Sequence, residues 1–305
     1  MIEDTALLAP PLPLDADARQ RLAEFLAGAA AAGIRAFDGE LDRSILFAVV
    51  ARRSEALAPP GITTVHGGRA HTITINALAA SLARPFETIR RHVNAMLDVG
   101  LLARGPRGIF VPDGVVSRPV IASLLATQHD QFVRLVEKMA ASGIALPAPR
   151  ALPYDPSAGT VAALDALLDA VEFGAAHYGC WLEMVILATV VCANDLAAED
   201  DPVPVTIVAI ARTLAMPYST IRRHAEAMLH EGALLRRRGG VIAAEAWLAQ
   251  PALAVDSRTH ADHVRRILTR LASAGFPFNA PARAYLTGRP APLIFTSHDD
   301  REDAR

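Results

Sequence analysis

The sequence predicts a mainly α-helical protein built from one module used twice. The pentapeptide TIRRH occurs at residues 88–92 and returns at residues 220–224, 132 residues later. Around it, residues 74–100 align with residues 206–232 without a gap, with 16 identities in 27 positions. Such self-similarity at a fixed spacing is typical of repeated structural units. Alanine-rich stretches and only 5% aromatic residues favour helix over sheet in both copies.

Residues 86–98 have the spacing of an amphipathic helix. With Ile89 taken as the inward direction and about 100° per residue, residues 93, 96 and 97 fall on the same face. The outward face then carries Glu87, Arg91, Asn94 and Asp98, with Thr88 and Arg90 on its flanks. The second copy presents Ser219, Arg223, Glu226 and His230 in the same outward positions.

A short helix is predicted just before each of these helices, over residues 75–83 and 207–215. A tight turn leads from it to Pro85 or Pro217, and proline suits the first turn of a helix. Gly100 and Gly232 end the second helix, as C-terminal glycines do. A two-stranded hairpin with a basic tip follows, over residues 101–111 and 233–242, and a short strand precedes each pair of helices at residues 71–74 and 204–206.

This order of helix, strand, helix, recognition helix and hairpin resembles the winged helix-turn-helix domains of bacterial transcription regulators. The likeness covers residues 41–112 and 179–244. The segment FETIRR at residues 86–91 also resembles the opening of the recognition helix in the cyclic-AMP receptor protein family. The chain departs from that family in lacking a β-roll nucleotide domain and in having proline where a capping serine or threonine is expected. The resemblance implies tandem duplicated winged helix-turn-helix domains that bind double-stranded DNA.

Flanking helices and a linker complete the predicted architecture. Helices are expected at residues 15–33, 41–57, 119–142, 160–178, 182–196 and 258–274. Residues 145–159 contain four prolines and are predicted to link the two halves. We therefore predict a first repeat at residues 1–148, a second repeat at residues 149–287 and a flexible tail at residues 288–305.

Charge is distributed unevenly along a chain whose net charge is only −2. Residues 84–107 hold five arginines and two acidic residues, and residues 212–238 hold six arginines and two acidic residues. Local basic patches on an acidic body suit a protein that meets phosphate at chosen faces. The predicted DNA-contacting residues are Glu87, Thr88, Arg90, Arg91, Asn94, Arg104 and Arg107 in the first copy, and Ser219, Thr220, Arg222, Arg223, Glu226, Arg236, Arg237 and Arg238 in the second.

Each residue type in this set has its own expected role. Helix arginines pair with guanine or clamp a phosphate, asparagine favours adenine, and a carboxylate accepts from the cytosine amino group. Hairpin arginines are expected on phosphate or in the minor groove. Hydroxyl groups in the first turn of a helix hold a phosphate.

Other motifs give no support for catalysis. His92 and His224 border the inward helix face, which favours packed, hydrogen-bonded rings. His260 and His263 have the spacing of a metal pair, but no neighbouring group of cysteines and histidines accompanies them in the sequence. No glycine-rich phosphate loop or nucleophile elbow occurs. We predict no enzymatic activity, no metal site and no cofactor.

The compartment and the partners follow from the same features. The acidic N-terminus lacks the cationic start of a signal peptide, and no apolar run reaches the roughly 18 residues of a membrane span. Cys180 and Cys192 would lie about 18 Å apart on one helix, too far to pair. These features predict a cytoplasmic protein that binds DNA and no membrane, with a homodimer and a small-molecule effector left open. The alternatives are a replication initiator or architectural DNA-binding protein, and a winged-helix protein-interaction scaffold.

Overall fold

The computed structural model describes residues 15–54, 56–57, 72–178, 180–194 and 201–295. The described residues contain eleven α-helices, two short 3-10 helices at Val115–Ser117 and Pro281–Ala284, and two antiparallel two-stranded sheets, so the mainly α prediction is confirmed. In the first half α1 spans Ala16–Ala36, α2 Leu41–Arg53, α3 Ile75–Ser81, α4 Phe86–Asp98, β1 Ala103–Gly105, β2 Gly108–Phe110 and α5 Pro119–Ala141. In the second half α6 spans Pro156–Tyr178, α7 Trp181–Asn194, α8 Ile207–Thr213, α9 Tyr218–His230, β3 Leu234–Arg237, β4 Gly240–Ala243, α10 Glu245–Leu248 and α11 Pro251–Ser273.

Each small sheet gains a third strand position from a residue that lies two positions before the short helix. Ile73 forms an antiparallel bridge with Ile109, and Val205 forms the equivalent bridge with Val241. The predicted strands at residues 71–74 and 204–206 are thus single bridges, and residue 71 lies outside the described residues. Glycine is required at the start of the returning strand, since a Cβ on Gly108 would lie 2.5 Å from the Ile73 carbonyl oxygen. Gly240 has the same relation to its bridge.

The two halves share a core because helices of one half pack against helices of the other. Helix α1 of the first half packs against α7 of the second as well as against α5, and α6 packs against α2, α5 and α11. One cluster of buried apolar residues accordingly includes Phe47 and Leu46 of α2 together with Ile186 of α7. The division into domains after residue 148 stays a prediction.

Several helix ends differ from the predicted ones. Helix α6 begins at Pro156 rather than at residue 160, because Asp155 accepts a hydrogen bond from the Ser157 backbone N–H and caps the helix. Helix α11 begins at Pro251 rather than at residue 258. Helix α2 ends at Arg53 instead of continuing to residue 57, and the short helix α10 was not predicted. Proline at a first helical position explains both early starts.

A buried polar cluster anchors the linker and the C-terminal segment to α5. His129 and Asp130 are fully buried, with His129 Nε2 lying 2.7 Å from the Tyr154 hydroxyl and Nδ1 2.9 Å from Asp130 Oδ1. Asp130 also accepts hydrogen bonds from the backbone N–H groups of Leu286 and Thr287. Burial favours the protonated acid, but these donated hydrogen bonds outweigh it and lower the pKa of Asp130.

The predicted tail begins in contact with the body of the protein. Thr213 in α8 donates to the Ile294 carbonyl oxygen at 3.0 Å, and Arg134 in α5 donates to the Pro290 carbonyl oxygen at 2.9 Å. Residues 288–295 therefore connect the second half to α5. Residues 296–305, for which flexibility is also predicted, lie outside the described residues.

Candidate nucleic-acid interface

The predicted recognition helices α4 and α9 are set on the core by equivalent apolar residues. Ile89, Val93 and Met96 are buried under α4, and Ile221, Ala225 and Met228 are buried under α9. The opposite face of each helix is exposed to solvent. Half of the Arg90 side chain and 57% of the Arg222 side chain are accessible, and Arg91 and Arg223 are exposed as well.

The turn before each recognition helix has the same unusual backbone in both copies. Thr74 and Thr206 cap the preceding helix by accepting from the N–H groups of Ala77 and Ala209, each at 3.1 Å. Ala83 and Ala215 then adopt the left-handed conformation, with φ of 48° and 52°. An L-residue there costs roughly 1–2 kcal/mol, so the surrounding packing must impose this turn.

Pro85 and Pro217 occupy the N-cap position, one residue before the first helical turn in which they were expected. Neither provides a side-chain cap for its helix. The first turn of each recognition helix therefore keeps backbone N–H groups that no cap satisfies. Thr88 and Thr220 are half-buried in this turn, and Ser219 is exposed.

The α3–α4 turn packs against the opposite half of the molecule, and the α8–α9 turn lies close to it. The guanidinium carbon of Arg84, in the α3–α4 turn, lies 4.6 Å from the ring centroid of Trp181, the first residue of α7. Reciprocally, a Cβ built on Gly39, between α1 and α2, would lie 4.0 Å from the carbonyl oxygen of Ala215 in the α8–α9 turn. Asp42 joins the first contact, because it accepts from the Trp181 indole N–H at 2.6 Å. Helices α4 and α9 are thus held by one shared framework.

Three of the predicted base-contacting side chains are engaged by arginines. Glu87 Oε2 accepts from Arg90 Nε at 2.9 Å, and Glu226 Oε1 accepts from Arg222 Nε at 2.8 Å. These carboxylates raise the pKa of both arginines through hydrogen bonding and charge. Asn94 Oδ1 accepts from Arg104 of the first hairpin at 3.0 Å. Since these contacts are exposed, a phosphate or a base can replace them at small cost.

The two copies hold their first arginine in opposite directions along the helix. Arg90 is drawn towards the N-terminus by Glu87, three residues before it, and Arg222 towards the C-terminus by Glu226, four residues after it. A surface groove on α4 is lined by Glu87, Arg90, Arg91 and Asp98. The second copy has serine at residue 219, which aligns with Glu87, and therefore lacks that carboxylate. Identical arginines are therefore presented in different surroundings.

The hairpin arginines lie at the exposed tips of both sheets. Arg104 and Arg107 are exposed on the first hairpin, and Arg236, Arg237 and Arg238 are exposed on the second. Two residues connect the strands in each case, so the basic side chains are concentrated at one edge. Each hairpin thus adds positive charge beside its recognition helix.

Sequence reasoning missed an aromatic residue at the start of each recognition helix. Phe86 is 42% exposed and Tyr218 47% exposed, although large aromatic side chains are usually buried. Both precede the exposed arginines by one turn, and the Tyr218 hydroxyl group interacts with Arg222. Their alignment in the repeat is the signal that could have identified them.

The two repeated histidines are paired with acidic residues of the preceding core helix. His92 is buried, and its Nε2 lies 3.5 Å from Asp42 Oδ2. His224 Nδ1 lies 2.8 Å from Glu183 Oε1. Burial lowers the pKa of His92, and the nearby carboxylates only partly oppose this. These contacts position α4 on α2 and α9 on α7.

His260 and His263 form a separate polar cluster away from α4 and α9. Both rings contact Asp169 of α6, with His263 Nδ1 at 2.5 Å. Burial favours the protonated acid, but the two histidines outweigh it and lower the pKa of Asp169. This cluster joins α6 to α11.

No helix in the described ranges is long and apolar enough to span a membrane. No protein-family model, curated protein or solved structure matches the chain. The function is therefore inferred from the geometry of these residues.

Proposed function

We propose that this protein is a sequence-specific double-stranded DNA-binding transcription regulator. In this proposal residues 41–112 and 179–244 are tandem winged helix-turn-helix modules, and α4 and α9 are their recognition helices. The observation that carries the proposal is the paired exposure of Arg90 and Arg91, repeated by Arg222 and Arg223, on two helices packed on one shared core. Regulation of bacterial genes in the cytoplasm is part of this proposal.

The chemistry of these surfaces favours nucleic acid over a protein partner. A protein-interaction scaffold would present apolar or acidic helix faces, whereas a pair of exposed arginines occupies the same positions of both helices here. Uncapped N–H groups after Pro85 and Pro217 favour an anion at each helix N-terminus. The hairpin tips add exposed arginines on both sides. Phosphate contacts would set the position, and side chains such as Arg91 and Arg223 would read base edges.

In this proposal the shared core would hold the two modules at one separation. The contacts of Trp181 with Arg84 and Asp42 hold the first helix-turn-helix against the second half. One chain would therefore do what a symmetric dimer of single modules does, reading two half-sites about one helical turn apart. Because the side chains around the arginines differ between copies, the two half-sites would differ as well.

Salt dependence tests this proposal. Affinity for duplex DNA is expected to fall steeply with salt, since bound arginines release counterions from the phosphates. The double variant Arg237→Ala/Arg238→Ala should flatten the slope of log K against log salt by about 1–2 and weaken all sequences alike. The matched control is Arg150→Ala/Arg283→Ala, which removes the same charge from exposed positions outside the two modules. Equal slopes in the two double variants would argue against phosphate contact by the second hairpin.

A further inference from the structure

A thiol, a carboxylate and an imidazole meet beside the second recognition helix. Cys180, Glu183 and His224 each offer one ligand atom within 4.8 Å of the other two, and all three side chains are half-buried. Within the described ranges no other group of three or more histidine, cysteine and acidic side chains meets this spacing. Cys180 and His224 are 44 residues apart, so the sequence did not reveal this cluster.

We propose that these three residues bind a divalent transition-metal ion of the zinc class. A mixed set of sulfur, nitrogen and carboxylate ligands suits Zn²⁺, whereas Mg²⁺ and Ca²⁺ prefer oxygen ligands alone. Tetrahedral bonds of about 2.0–2.3 Å place ligand atoms roughly 3.3–3.8 Å apart. Side chains within 4.8 Å of one another can close to that distance by small rotations. Three protein ligands leave the fourth position for water.

Hydrogen bonds assign the proton on the His224 ring. Arg223 Nη2 lies 3.3 Å from His224 Nε2, and a guanidinium group can only donate. Nε2 therefore accepts, and Nδ1 carries the proton and donates to Glu183. The neutral imidazole is the form that binds metals.

Metal binding would change the partner of Arg223. If the metal binds Nδ1, the proton of the neutral ring moves to Nε2, which then no longer accepts from Arg223. If the metal binds Nε2, it occupies the lone pair that accepted the hydrogen bond from Arg223. In both cases the thiol proton of Cys180 leaves to solvent as the thiolate binds the metal, and Glu183 binds as a carboxylate. Arg223 then loses its hydrogen bond to the His224 ring.

The position of the site would couple metal binding to DNA recognition by the second module. Glu183 is in the first turn of α7 and His224 is in the second turn of α9, so a bound ion would tie the two helices together. The first copy has Asp42 and His92 at the aligned positions but Gly39 where the second has Cys180. The metal would therefore act on the second module alone. This coupling rests on the proposed function, whereas metal binding itself does not.

Cobalt titration of the full-length, metal-free protein tests the site. Co²⁺ should bind one equivalent with the near-ultraviolet charge-transfer absorption of a thiolate ligand, and Zn²⁺ should displace it. Cys180→Ser should abolish that absorption, and Glu183→Gln should weaken binding at least tenfold. Cys192→Ser, which removes the other thiol, should leave the titration unchanged. A thiolate absorption that is absent, or that persists in Cys180→Ser, would overturn the site.

A separate measurement distinguishes this inference from the proposed function. Zn²⁺ should raise the affinity for a selected duplex several-fold in the parent protein and leave Cys180→Ser unchanged. Failure of the parent to bind duplex DNA, with Co²⁺ binding through Cys180 intact, would refute the proposed function and keep the metal site. DNA binding that Zn²⁺ does not alter, in a protein that binds Co²⁺ through Cys180, would overturn the release of Arg223.

Discussion

Replacing Asp42 by alanine should weaken the joint between the two halves. One oxygen of Asp42 accepts from the buried Trp181 indole at 2.6 Å and lies 3.4 Å from Arg84 Nη2. Trp181 is only 1% exposed, so solvent has little access to the indole N–H that loses its acceptor. An unsatisfied buried donor, together with a lost hydrogen bond to a charged acceptor, costs about 2–3 kcal/mol. With about 2.1 cal/mol/K of unfolding entropy per residue, Tm should fall by about 3–5 °C.

Denaturant and thermal unfolding, followed by circular dichroism, measure this loss. Glu40→Ala is the matched control, because it removes a carboxylate from the same region whose side chain is 46% exposed and lies 4.0 Å from His92. The double variant Asp42→Ala/Trp181→Phe lacks both partners and should recover at least 1 kcal/mol relative to the sum of the single changes. If Asp42→Ala costs no more than Glu40→Ala, the proposed joint does not stabilise the fold.

Two further predictions concern backbone strain and pH. Ala83→Gly and Ala215→Gly should each raise the unfolding free energy by about 1 kcal/mol, because glycine adopts positive φ without strain. The control Ala122→Gly, on an exposed helix face, should lower the unfolding free energy by about 0.5–1 kcal/mol. Destabilisation at all three positions in denaturant titrations would refute the strain argument. Burial lowers the pKa of His129, with Asp130 partly opposing this, so the unfolded chain binds a proton that the folded chain excludes. Stability should therefore be complete above pH of about 6.5 and decline below it, by at most about 1.4 kcal/mol per pH unit for this ring. His129→Gln should flatten the decline between pH 7 and 5, and an equally steep decline in that variant would assign it to other groups.

The repeat made the elements predictable, because identical local signals occur in both copies. Apolar spacing around Ile89 and Ile221 determined the buried faces of α4 and α9, and the order of elements in each half followed. The helix start at Pro156 was missed, since the linker prolines indicated a break where one of them begins a helix. The start at Pro251 was missed as well, because the predicted helix began only at residue 258. The packing of α1 in the first half against α7 in the second depends on long-range contacts, for which a single sequence has no local signal.

The candidate site was predictable in part for a similar reason. Exposed arginines follow from helical spacing, and the structure places all four on exposed faces of α4 and α9. Pairing of Glu87 with Arg90 and of Glu226 with Arg222 depends on rotamers that the sequence does not specify. The cluster of Cys180, Glu183 and His224 needs the tertiary contact between α7 and α9. The proximity of residues that are distant in sequence becomes visible only in the folded structure.

Footprinting of one chain on its selected duplex tests most directly whether both modules read the same DNA. Duplexes are first selected from a random pool with the parent protein, and hydroxyl-radical protection is then compared for Arg91→Ala and Arg223→Ala. Each variant should lose protection over a different half-site, the two lying about 10 base pairs apart, at a cost of about 1–3 kcal/mol in affinity. Loss of the same half-site in both variants, or unchanged protection in either, would contradict the account.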